Sequence, residues 1–219
     1  MTTDTRLSRL LEVETGMISD CMMRLGLHGW MDGVKAVQGP KARLAGRART
    51  MLFGPKRGEG QWPVSMYRTI AEHLEPGDVW VIAAGGTDEN LMGDNVVTQA
   101  SLHGLAGIVT DSLVRDGTGI AAIDLPVFSR GVTTRLPMTM EPIALDVPVV
   151  CAGAQVRPGD TIVGDADGIL VLPTARLDDI LYQLEDVAVI EKELAAAIAA
   201  RHPLEALEGV IKRKKARRA

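Results

Sequence analysis

Three charged residues near the middle of the chain have side chains that could bind a metal ion and an organic acid. Asp94 is separated by residues 95–114 from the adjacent pair Arg115 and Asp116. Carboxylate oxygens are ligands that Mg²⁺ and Mn²⁺ prefer, and Mg²⁺ usually takes only one or two of them from a protein. An arginine guanidinium is a planar fork that matches a carboxylate. The three residues therefore predict a divalent-metal site, with Mg²⁺ or Mn²⁺, that binds a 2-oxo acid.

The segments around these residues predict that they lie at one edge of a sheet. We expect a strand, a helix and a second strand at residues 78–84, 90–102 and 106–110. The two strands are short apolar runs, the helix has apolar residues at helical spacing, and glycines follow the first strand and the helix. In such a βαβ unit the loops at the carboxyl ends of the strands gather in one crevice. Asp94 should therefore face Arg115 and Asp116.

The start of the expected helix offers a second way to bind an anion. Backbone N–H groups at a helix N-terminus attract negative charge, so we expect the amides of the turn at residues 86–92 to bind an anion. Gly93, Asn95 and Val96 are expected to contact the substrate as well. A 2-oxo acid would place its carboxylate on Arg115 and chelate the metal with its keto and carboxylate oxygens. The metal would then stabilise an enolate as a Lewis acid.

Each of these residues also has an ordinary structural explanation. Asp94 could be a first-turn acid that only stabilises its helix. Arg115 and Asp116 could be a surface ion pair of little energetic value. The occurrence of all three residues together favours the site over these alternatives.

The same residues carry a resemblance to a known family. The pattern of Asp94 and Arg115-Asp116, with Gly85-Gly86 before it and residues 125–131 after it, resembles the class II pyruvate aldolases of the 4-hydroxy-4-methyl-2-oxoglutarate / 4-carboxy-4-hydroxy-2-oxoadipate type. These enzymes share a fold with the RraA regulators of ribonuclease E. The similarity covers about residues 10–200 and includes residues 148–154, 156–160 and 164–173.

The resemblance implies a fold, a reaction and residue roles. It implies a mixed α/β fold, a single-domain swivelling β/β/α sandwich over residues 1–205 whose βαβ unit carries the site. The implied reaction cleaves a 4-hydroxy-2-oxo di- or tricarboxylic acid to pyruvate and a second oxo acid, with oxaloacetate decarboxylation as a side activity. Asp116 would bind the metal directly, Asp94 would bind it through water, and Arg115 would hold the pyruvyl group. A homotrimer or homohexamer is implied as well.

Two departures from the family pattern concern the substrate more than the metal. Asp111-Ser112 stands where a small residue often follows the strand, and residues 87–90 are more acidic than expected. The residues that bind the non-pyruvyl half stay open among four arginines, Arg43, Arg47, Arg57 and Arg68.

Glu191 is a further candidate on a long helix expected at residues 175–200. It lies within an apolar stripe, where an acid is costly unless it is paired or reaches water. In the aldolases a glutamate from a neighbouring subunit assists catalysis, so Glu191 could complete a site across a subunit junction. Alternatively, the stripe ends at Ala188 and Glu191 is solvated with its neighbours Lys192 and Glu193.

The alternative function is a non-catalytic RraA-like regulator that binds a ribonuclease or a helicase. Such regulators typically lack the metal-binding aspartate, so Asp116 favours the enzyme. Aromatic residues make up only 3% of the chain, which makes nucleic-acid stacking surfaces unlikely. The basic C-terminal tail, residues 206–219, is expected to be a solvated, disordered end, with weak RNA or acidic-partner binding as the alternative.

Composition limits the remaining possibilities. Cys21 and Cys151 are isolated and predict neither a disulfide framework nor a zinc site. No apolar run reaches the length of a membrane span, and the first residues do not resemble a secretory leader. We therefore expect a cytoplasmic protein.

Outside the βαβ unit the sequence predicts a strand-rich second half. Helices are expected over residues 6–26, broken at Gly16, and over 64–74. Strands are expected at residues 44–53, 126–130, 142–145, 148–151, 161–163 and 168–172.

Overall fold

Strands and helices alternate over residues 44–129, and the computed structural model describes residues 4–57 and 65–218. The helices there are α1 (Thr5–Leu11), α2 (Thr15–Arg24), α3 (Met66–His73), α4 (Asp94–His103), α5 (Gly117–Ala121), α6 (Leu177–Ala199) and α7 (Leu204–Lys215). The strands are β1 (Trp30–Met31), β2 (Lys35–Ala36), β3 (Leu44–Pro55), β4 (Asp78–Ala83), β5 (Gly107–Thr110), β6 (Val127–Ser129), β7 (Met140–Leu145), β8 (Val149–Cys151), β9 (Ala154–Val156), β10 (Thr161–Gly164) and β11 (Ile169–Leu172).

The main sheet has four parallel strands at its centre. Its order is β1-β11-β10-β3-β4-β5-β6-β2, and β3, β4, β5 and β6 run parallel to their neighbours in that group. The other edge of β3 pairs antiparallel with β10 along residues 44–47 and then with β7 along residues 51–55. Strands β8 and β9 form a separate hairpin. The long strand β3 therefore joins the parallel and antiparallel parts of the sheet.

Both faces of the parallel strands are buried, because side chains alternate between the two sides of a strand. In β4, Val79 and Val81 pack on one side with β8, β9 and β10, whereas Trp80 and Ile82 pack on the other side with α3 and α4. The fully buried indole of Trp80 has no hydrogen-bond partner for its N–H among the described residues. A third apolar cluster packs α1, α2 and α6 against β10 and β11.

The structure confirms the predicted βαβ unit, with one shift. Strands β4 and β5 lie where they were predicted, but the helix between them begins at Asp94 rather than at residue 90. Residues 90–92 instead form hydrogen bonds with neighbouring loops, as described below. The predicted strands of the second half are also present, each within about two residues of the predicted limits.

The first helical region differs from its prediction in where it breaks. The break lies at residues 12–14, and Gly16 lies inside α2. The carboxylate of the buried Asp165 accepts hydrogen bonds from the N–H and hydroxyl of Thr15, both at 2.7 Å, and so caps α2 from a distant segment. The helix predicted from Val64 begins at Met66, and Val64 itself lies outside the described residues.

The expectation of a disordered basic tail is wrong for the described residues, because they form most of α7. The guanidinium of Arg24, which is fully buried, donates to the backbone carbonyls of Lys214 at 2.6 Å and Arg213 at 3.1 Å. Lys214 forms ion pairs with Asp20 and with Glu191. These contacts fix α7 against α2 and α6. No helix among the described residues is long and apolar enough to cross a membrane.

Candidate active site

The loops that follow β4 and β5 continue the parallel pairing of those strands. The backbone N–H of Leu91 donates to the carbonyl of Leu113 at 3.1 Å, and that of Arg115 donates to the carbonyl of Met92 at 2.9 Å. This pairing places Gly93 and Asp94, which follow Met92, beside Arg115. The late start of α4 is therefore what positions the site.

The chain after β6 extends the same ladder on its other side. We call residues 132–139, between β6 and β7, the rim segment. The backbone N–H of Val114 donates to the carbonyl of Gly131 at 3.0 Å, and that of Thr133 donates to the carbonyl of Val114 at 2.8 Å. The rim segment therefore begins directly beside the loop that carries Arg115 and Asp116.

Two glycines show how closely the predicted residues approach each other. A Cβ added to Gly93 would lie 2.3 Å from Oδ2 of Asp116 and 3.0 Å from Nε of Arg115. A Cβ added to Gly119 would lie 2.7 Å from Oδ2 of Asp94. The distances of 2.3 and 2.7 Å are shorter than any normal Cβ contact, so both glycines leave room for the charged side chains. Asp94, Arg115 and Asp116 therefore converge at the junction of α4 and α5.

Asp116 has an unusual backbone conformation. Its φ of 57° and ψ of 41° lie in the left-handed region, which non-glycine residues adopt at a cost, although Asp tolerates it better than most. Its carbonyl accepts a hydrogen bond from the N–H of Ile120 at 2.9 Å and starts α5. Such strained residues cluster at functional sites. The conformation supports a role for the Asp116 side chain beyond a surface ion pair.

The charged groups of the site are accessible to a ligand. Nε of Arg115 lies 3.3 Å from Oδ2 of Asp116, and the two side chains are 49% and 43% exposed. Asp94 is half-buried in the first turn of α4. Gly93 and Val96 are buried and Asn95 is exposed. Of these three residues, the structure places Gly93 beside Arg115, and the role of their N–H groups in binding an anion stays a prediction.

The donor set fits a hard divalent ion with few protein ligands. The described residues contain no group of three or more His, Cys, Asp and Glu side chains that could hold a metal by themselves. Asp94 and Asp116 offer two carboxylates in the space that Gly93 and Gly119 leave open. Mg²⁺ commonly binds through one or two carboxylates, with water and substrate as its other ligands. Asp116 and Asp94 could hold such an ion.

One departure from the family pattern, Asp111-Ser112, has a structural role. The buried carboxylate of Asp111 accepts the N–H of Ala84 at 2.6 Å and so joins the ends of β4 and β5. The hydroxyl of Ser112 donates to the carbonyl of Glu89 at 2.6 Å. Both residues fix the loops that carry the site, and neither reaches into it through these bonds.

The other departure, the acidic residues 87–90, also stabilises these loops. Glu89 is buried, and its carboxylate accepts the N–H of Thr139 at 3.1 Å and the Thr139 hydroxyl at 2.9 Å. Burial alone would raise the pKa of Glu89, but these hydrogen bonds, a bond from the N–H of Met138 and the charge of Arg135 outweigh it and lower the pKa. Glu89 therefore anchors the end of the rim segment as a carboxylate.

Arg130 holds the turn that ends β4. It donates to the carbonyl of Gly86, to the carbonyl of Thr87 at 3.3 Å, and pairs with the carboxylate of Asp88 at 3.3 Å. Gly86 has a φ of 73°, a conformation that glycine adopts without a steric cost. The turn upstream of Asp94 is thus fixed by a residue next to the rim segment.

Glu191 is paired within its own chain rather than solvated with Lys192 and Glu193. It forms an ion pair with Lys214 of its own chain, which also pairs with Asp20 at 2.7 Å. Its side chain is 34% exposed. The structure places it with α2 and α7 by these contacts, apart from the ladder that carries Asp94. A role for Glu191 in another subunit's site stays a prediction.

The arginines proposed for the non-pyruvyl half form structural contacts. Arg43 pairs with Glu14, Arg47 with Glu75 and Asp78, and Arg68 with Glu72. The backbone N–H of Arg57 donates to the carboxylate of Glu141 at 3.2 Å. These bonds do not connect Arg43, Arg47 or Arg68 with the site.

Reasoning from the sequence did not identify the rim segment or Gly119 as parts of the site. Their contacts with Asp94 and with the loop of Arg115 appear only in the folded structure.

Comparison with known proteins places the chain in a family. The family model RraA-like, described as Aldolase/RraA, matches residues 15–171. The chain belongs to the RraA-like family. A solved structure of Streptomyces coelicolor RraAS2, described as an unusual member of the RNase ES inhibitor RraA protein family, is 28% identical with a TM-score of 0.79. The alignment covers 87% of this chain and 95% of that chain. The predicted RraA-like α/β fold is thereby confirmed.

Relatives of this RraA-like chain carry aldolase names. A candidate 4-hydroxy-4-methyl-2-oxoglutarate aldolase of Halalkalibacterium halodurans is 40% identical over 109 residues, which are 49% of this chain and 52% of the relative. A 4-hydroxy-4-methyl-2-oxoglutarate aldolase of Thermus thermophilus is 29% identical over 136 residues, which are 62% of this chain and 79% of the relative. The match thus spans about half of the first relative and most of the second.

Proposed function

We propose that the protein is a divalent-metal-dependent aldolase that cleaves a 4-hydroxy-2-oxo di- or tricarboxylic acid to pyruvate and a second oxo acid. One observation carries this proposal: Asp94, Arg115 and Asp116 converge around Gly93 and Gly119 at the start of α4. Membership of the RraA-like family and the aldolase names of two relatives support it. The activity is a carbon-carbon lyase activity, with decarboxylation of oxaloacetate as a side reaction.

Arg115 and the start of α4 bind and orient the pyruvyl end of the substrate. The Arg115 guanidinium forms a charge-assisted pair with the 2-oxo acid's carboxylate. Backbone N–H groups at Asn95 and Val96, at the positive end of the α4 dipole, add stabilisation for the same negative end. Because these donors are fixed by the loop ladder, they require little reorganisation when the substrate binds.

Asp116, directly, and Asp94, through water, are the residues that would hold Mg²⁺ or Mn²⁺. When bound, the ion supplies Lewis-acid stabilisation of negative charge on the 2-oxo group. Gly93 and Gly119 keep the space beside these carboxylates free of side-chain atoms. Asp116 thus acts as a direct ligand and Asp94 as a water-mediated one, although the two side chains lie in one cluster.

Cleavage requires the loss of the proton of the 4-hydroxyl group. Asp94 orients a water that takes this proton as general base and passes a proton to the Asp94 carboxylate. The hydroxyl oxygen then forms a carbonyl with C4, the C3–C4 bond breaks, and its electron pair stays on the pyruvyl fragment as an enolate. Return of the proton through the same water to C3 gives pyruvate. Loss of carbon dioxide from oxaloacetate leaves the same enolate, which explains the proposed side activity.

We also propose a homotrimer or homohexamer in which Glu191 assists the base from a neighbouring subunit.

The test is pyruvate release from a panel of 4-hydroxy-2-oxo acids and oxaloacetate. We expect release with Mg²⁺ or Mn²⁺ and its loss on addition of EDTA, with recovery when the metal is restored. Turnover that is undiminished after exhaustive chelation would contradict the metal dependence. No release from any substrate, with either metal, would contradict the aldolase itself.

The second candidate is a regulator that binds a ribonuclease, supported by the likeness to RraAS2. The two aspartates, which a regulator does not require, favour the enzyme. A pull-down with a ribonuclease E catalytic and scaffold region distinguishes the candidates. Tight binding that inhibits RNA cleavage, together with absent pyruvate release, would establish the regulator instead.

A further inference from the structure

The first half of the rim segment contacts the loops of the site. Val132 contacts the backbone next to Asp116, since a Cβ added to Gly117 would lie 3.0 Å from Cγ2 of Val132. Thr133 bonds to Val114, as described above. Asn90 donates its backbone N–H at 2.8 Å and its side-chain Nδ2 at 2.5 Å to the carbonyl of Arg135. The turn at Thr133–Arg135 therefore contacts both the loop that precedes Asp94 and the loop that carries Arg115.

Arg135 is an exposed cation with an available guanidinium. Within residues 4–57 and 65–218, this guanidinium forms no hydrogen bond or ion pair, unlike Arg115 and Arg130. It lies close enough to Glu89 for a Coulombic attraction, but the Glu89 carboxylate already accepts the N–H and hydroxyl of Thr139. An unpaired arginine on a rigidly held turn is suited to bind a carboxylate.

The other exposed side chains of the rim segment are mostly apolar. Val132 is 54%, Leu136 49% and Met138 70% exposed. Lys56, which approaches the segment from β3, donates its ammonium to the carbonyl of Pro137 at 3.0 Å. The guanidinium of Arg135 is thus available to form an ion pair with a second carboxylate of the substrate.

We propose that Arg135 binds the carboxylate of the non-pyruvyl half and so selects dicarboxylic over monocarboxylic 4-hydroxy-2-oxo acids. This inference rests on the proposed function and adds its specificity residue. Arg115 holds the first carboxylate and Arg135 the second, with the scissile bond between them. Glu89 is a positioning residue, because it anchors Thr139 at the other end of the rim segment.

A matched pair of inert ligands tests this role by calorimetry in the presence of Mg²⁺. We use 2-oxoglutarate and 2-oxopentanoate, which have the same chain length and differ in the second carboxylate. The parent should bind 2-oxoglutarate more tightly. Arg135→Gln should weaken 2-oxoglutarate binding by at least about tenfold, as expected for the loss of a charged hydrogen bond, and leave 2-oxopentanoate unchanged. Arg135→Lys, which retains the charge, should show an intermediate preference.

Lys56→Gln is the control for general electrostatic attraction, because it removes one positive charge near the same segment. It should keep the preference of the parent. Equal losses in Lys56→Gln and Arg135→Gln would overturn the specific role of Arg135, as would a preference that persists in both Arg135 variants. Circular dichroism melts that match the parent show that the variants are folded.

The outcomes separate this inference from the aldolase proposal. If the preference for 2-oxoglutarate disappears in Arg135→Gln but no hydroxy acid is cleaved, Arg135 is confirmed as the binding residue and the aldolase is overturned. If cleavage occurs but the variant retains the parent's preference, the inference alone is overturned. A parent that binds neither ligand overturns both.

Discussion

Asp116 has a strained backbone and a side chain in the centre of the site. Because this side chain is 43% exposed, its substitution should leave the buried core unchanged. Its φ of 57° lies in the left-handed region, and its carboxylate lies against Gly93. Arg115 and Asp116 are adjacent in sequence but have separate proposed functions, as the substrate clamp and the metal ligand. Single substitutions can therefore test them independently.

Asp116→Ala removes the proposed direct metal ligand and should lower pyruvate release by about a hundredfold or more, because a bound metal supplies several kcal/mol of transition-state stabilisation. Metal affinity, measured by calorimetry, should fall in parallel. Asp124→Ala is the matched control, since Asp124 is an exposed acid shortly after α5. Unchanged metal affinity in Asp116→Ala would show that Asp116 is not a ligand.

Arg115→Lys keeps the positive charge but loses the bidentate fork. We expect about tenfold weaker pyruvate binding, as for the loss of one charge-assisted hydrogen bond, with metal affinity close to that of the parent. Calorimetric titration with pyruvate measures the effect. If the lysine variant bound pyruvate as tightly as the parent, Arg115 would not be the carboxylate clamp.

At the scale of elements, the site depends on the loop ladder beyond β4, β5 and β6 and on the glycines between its members. Gly93 has a φ of −124° and a ψ of −171°, an extended conformation that any residue can adopt. Substitution there would introduce a steric clash rather than backbone strain. The same ladder also fixes the rim segment, whose far end depends on Glu89.

Gly93→Ala should therefore impair function more than stability. The added methyl group would lie 2.3 Å from Oδ2 of Asp116 and must displace it together with Arg115. We expect pyruvate release to fall by roughly tenfold or more, as for a small misplacement of reacting groups, with little change in the melting temperature. Gly209→Ala in α7, where an added Cβ meets nothing within 4 Å, is the control and should leave activity unchanged.

Glu89→Gln tests the anchor of the rim segment through its pH dependence. The folded pKa of Glu89 is lowered from the ordinary value of 4.5, so its carboxylate contributes stability above that pH and loses it as the pH falls through the folded pKa. At pH 7 the variant should melt roughly 3 °C below the parent. The difference should shrink as the pH falls below about 4.5, whereas exposed Glu208→Gln should show no such trend. A difference that is constant from pH 7 to pH 3 would contradict this role.

The sequence predicted the strands and helices whose ends are marked by nearby glycines or turn residues. It missed the boundaries that are set by hydrogen bonds between residues far apart in sequence. Strands β4 and β5 are apolar runs followed by turns, and the spacing of Asp94 and Arg115 predicted their approach. The true start of α4 depends on the bond between Arg115 and Met92, which no local periodicity reveals. The space that Gly119 leaves for Asp94 and the hydrogen bonds between Glu89 and Thr139 likewise appear only in the folded structure.

At the scale of the whole molecule, α7 is part of the folded unit because distant residues bind it. A run of basic residues predicted a solvated tail, but Lys214 and the buried Arg24 connect this helix to α2 and α6. The ion pair with Lys214 also satisfies Glu191 in its own chain. A role for Glu191 in a neighbouring subunit therefore requires that this pair opens or is shared on assembly.

Subunit mixing tests that role. Asp116→Ala and Glu191→Ala subunits, dissociated and reassembled together, should regain part of the activity if some sites combine an intact Asp116 with an intact Glu191 of the next chain. Mass spectrometry verifies that mixed oligomers have formed. A verified mixed oligomer without recovery would show that Glu191 serves its own subunit, as the Lys214 ion pair suggests.

The double pairing of β3 has a consequence for synthesis of the protein on the ribosome. Leu44 pairs with Gly164 and Met51 with Leu145, whereas the partner on the other edge, β4, follows β3 much more closely in sequence. Contacts between residues so distant in sequence form slowly, because a long loop must close first. One edge of β3 thus stays open until most of the chain has emerged. An unpaired edge can template association with other chains, so we expect a nascent chain stalled before β7 to aggregate or to recruit chaperones.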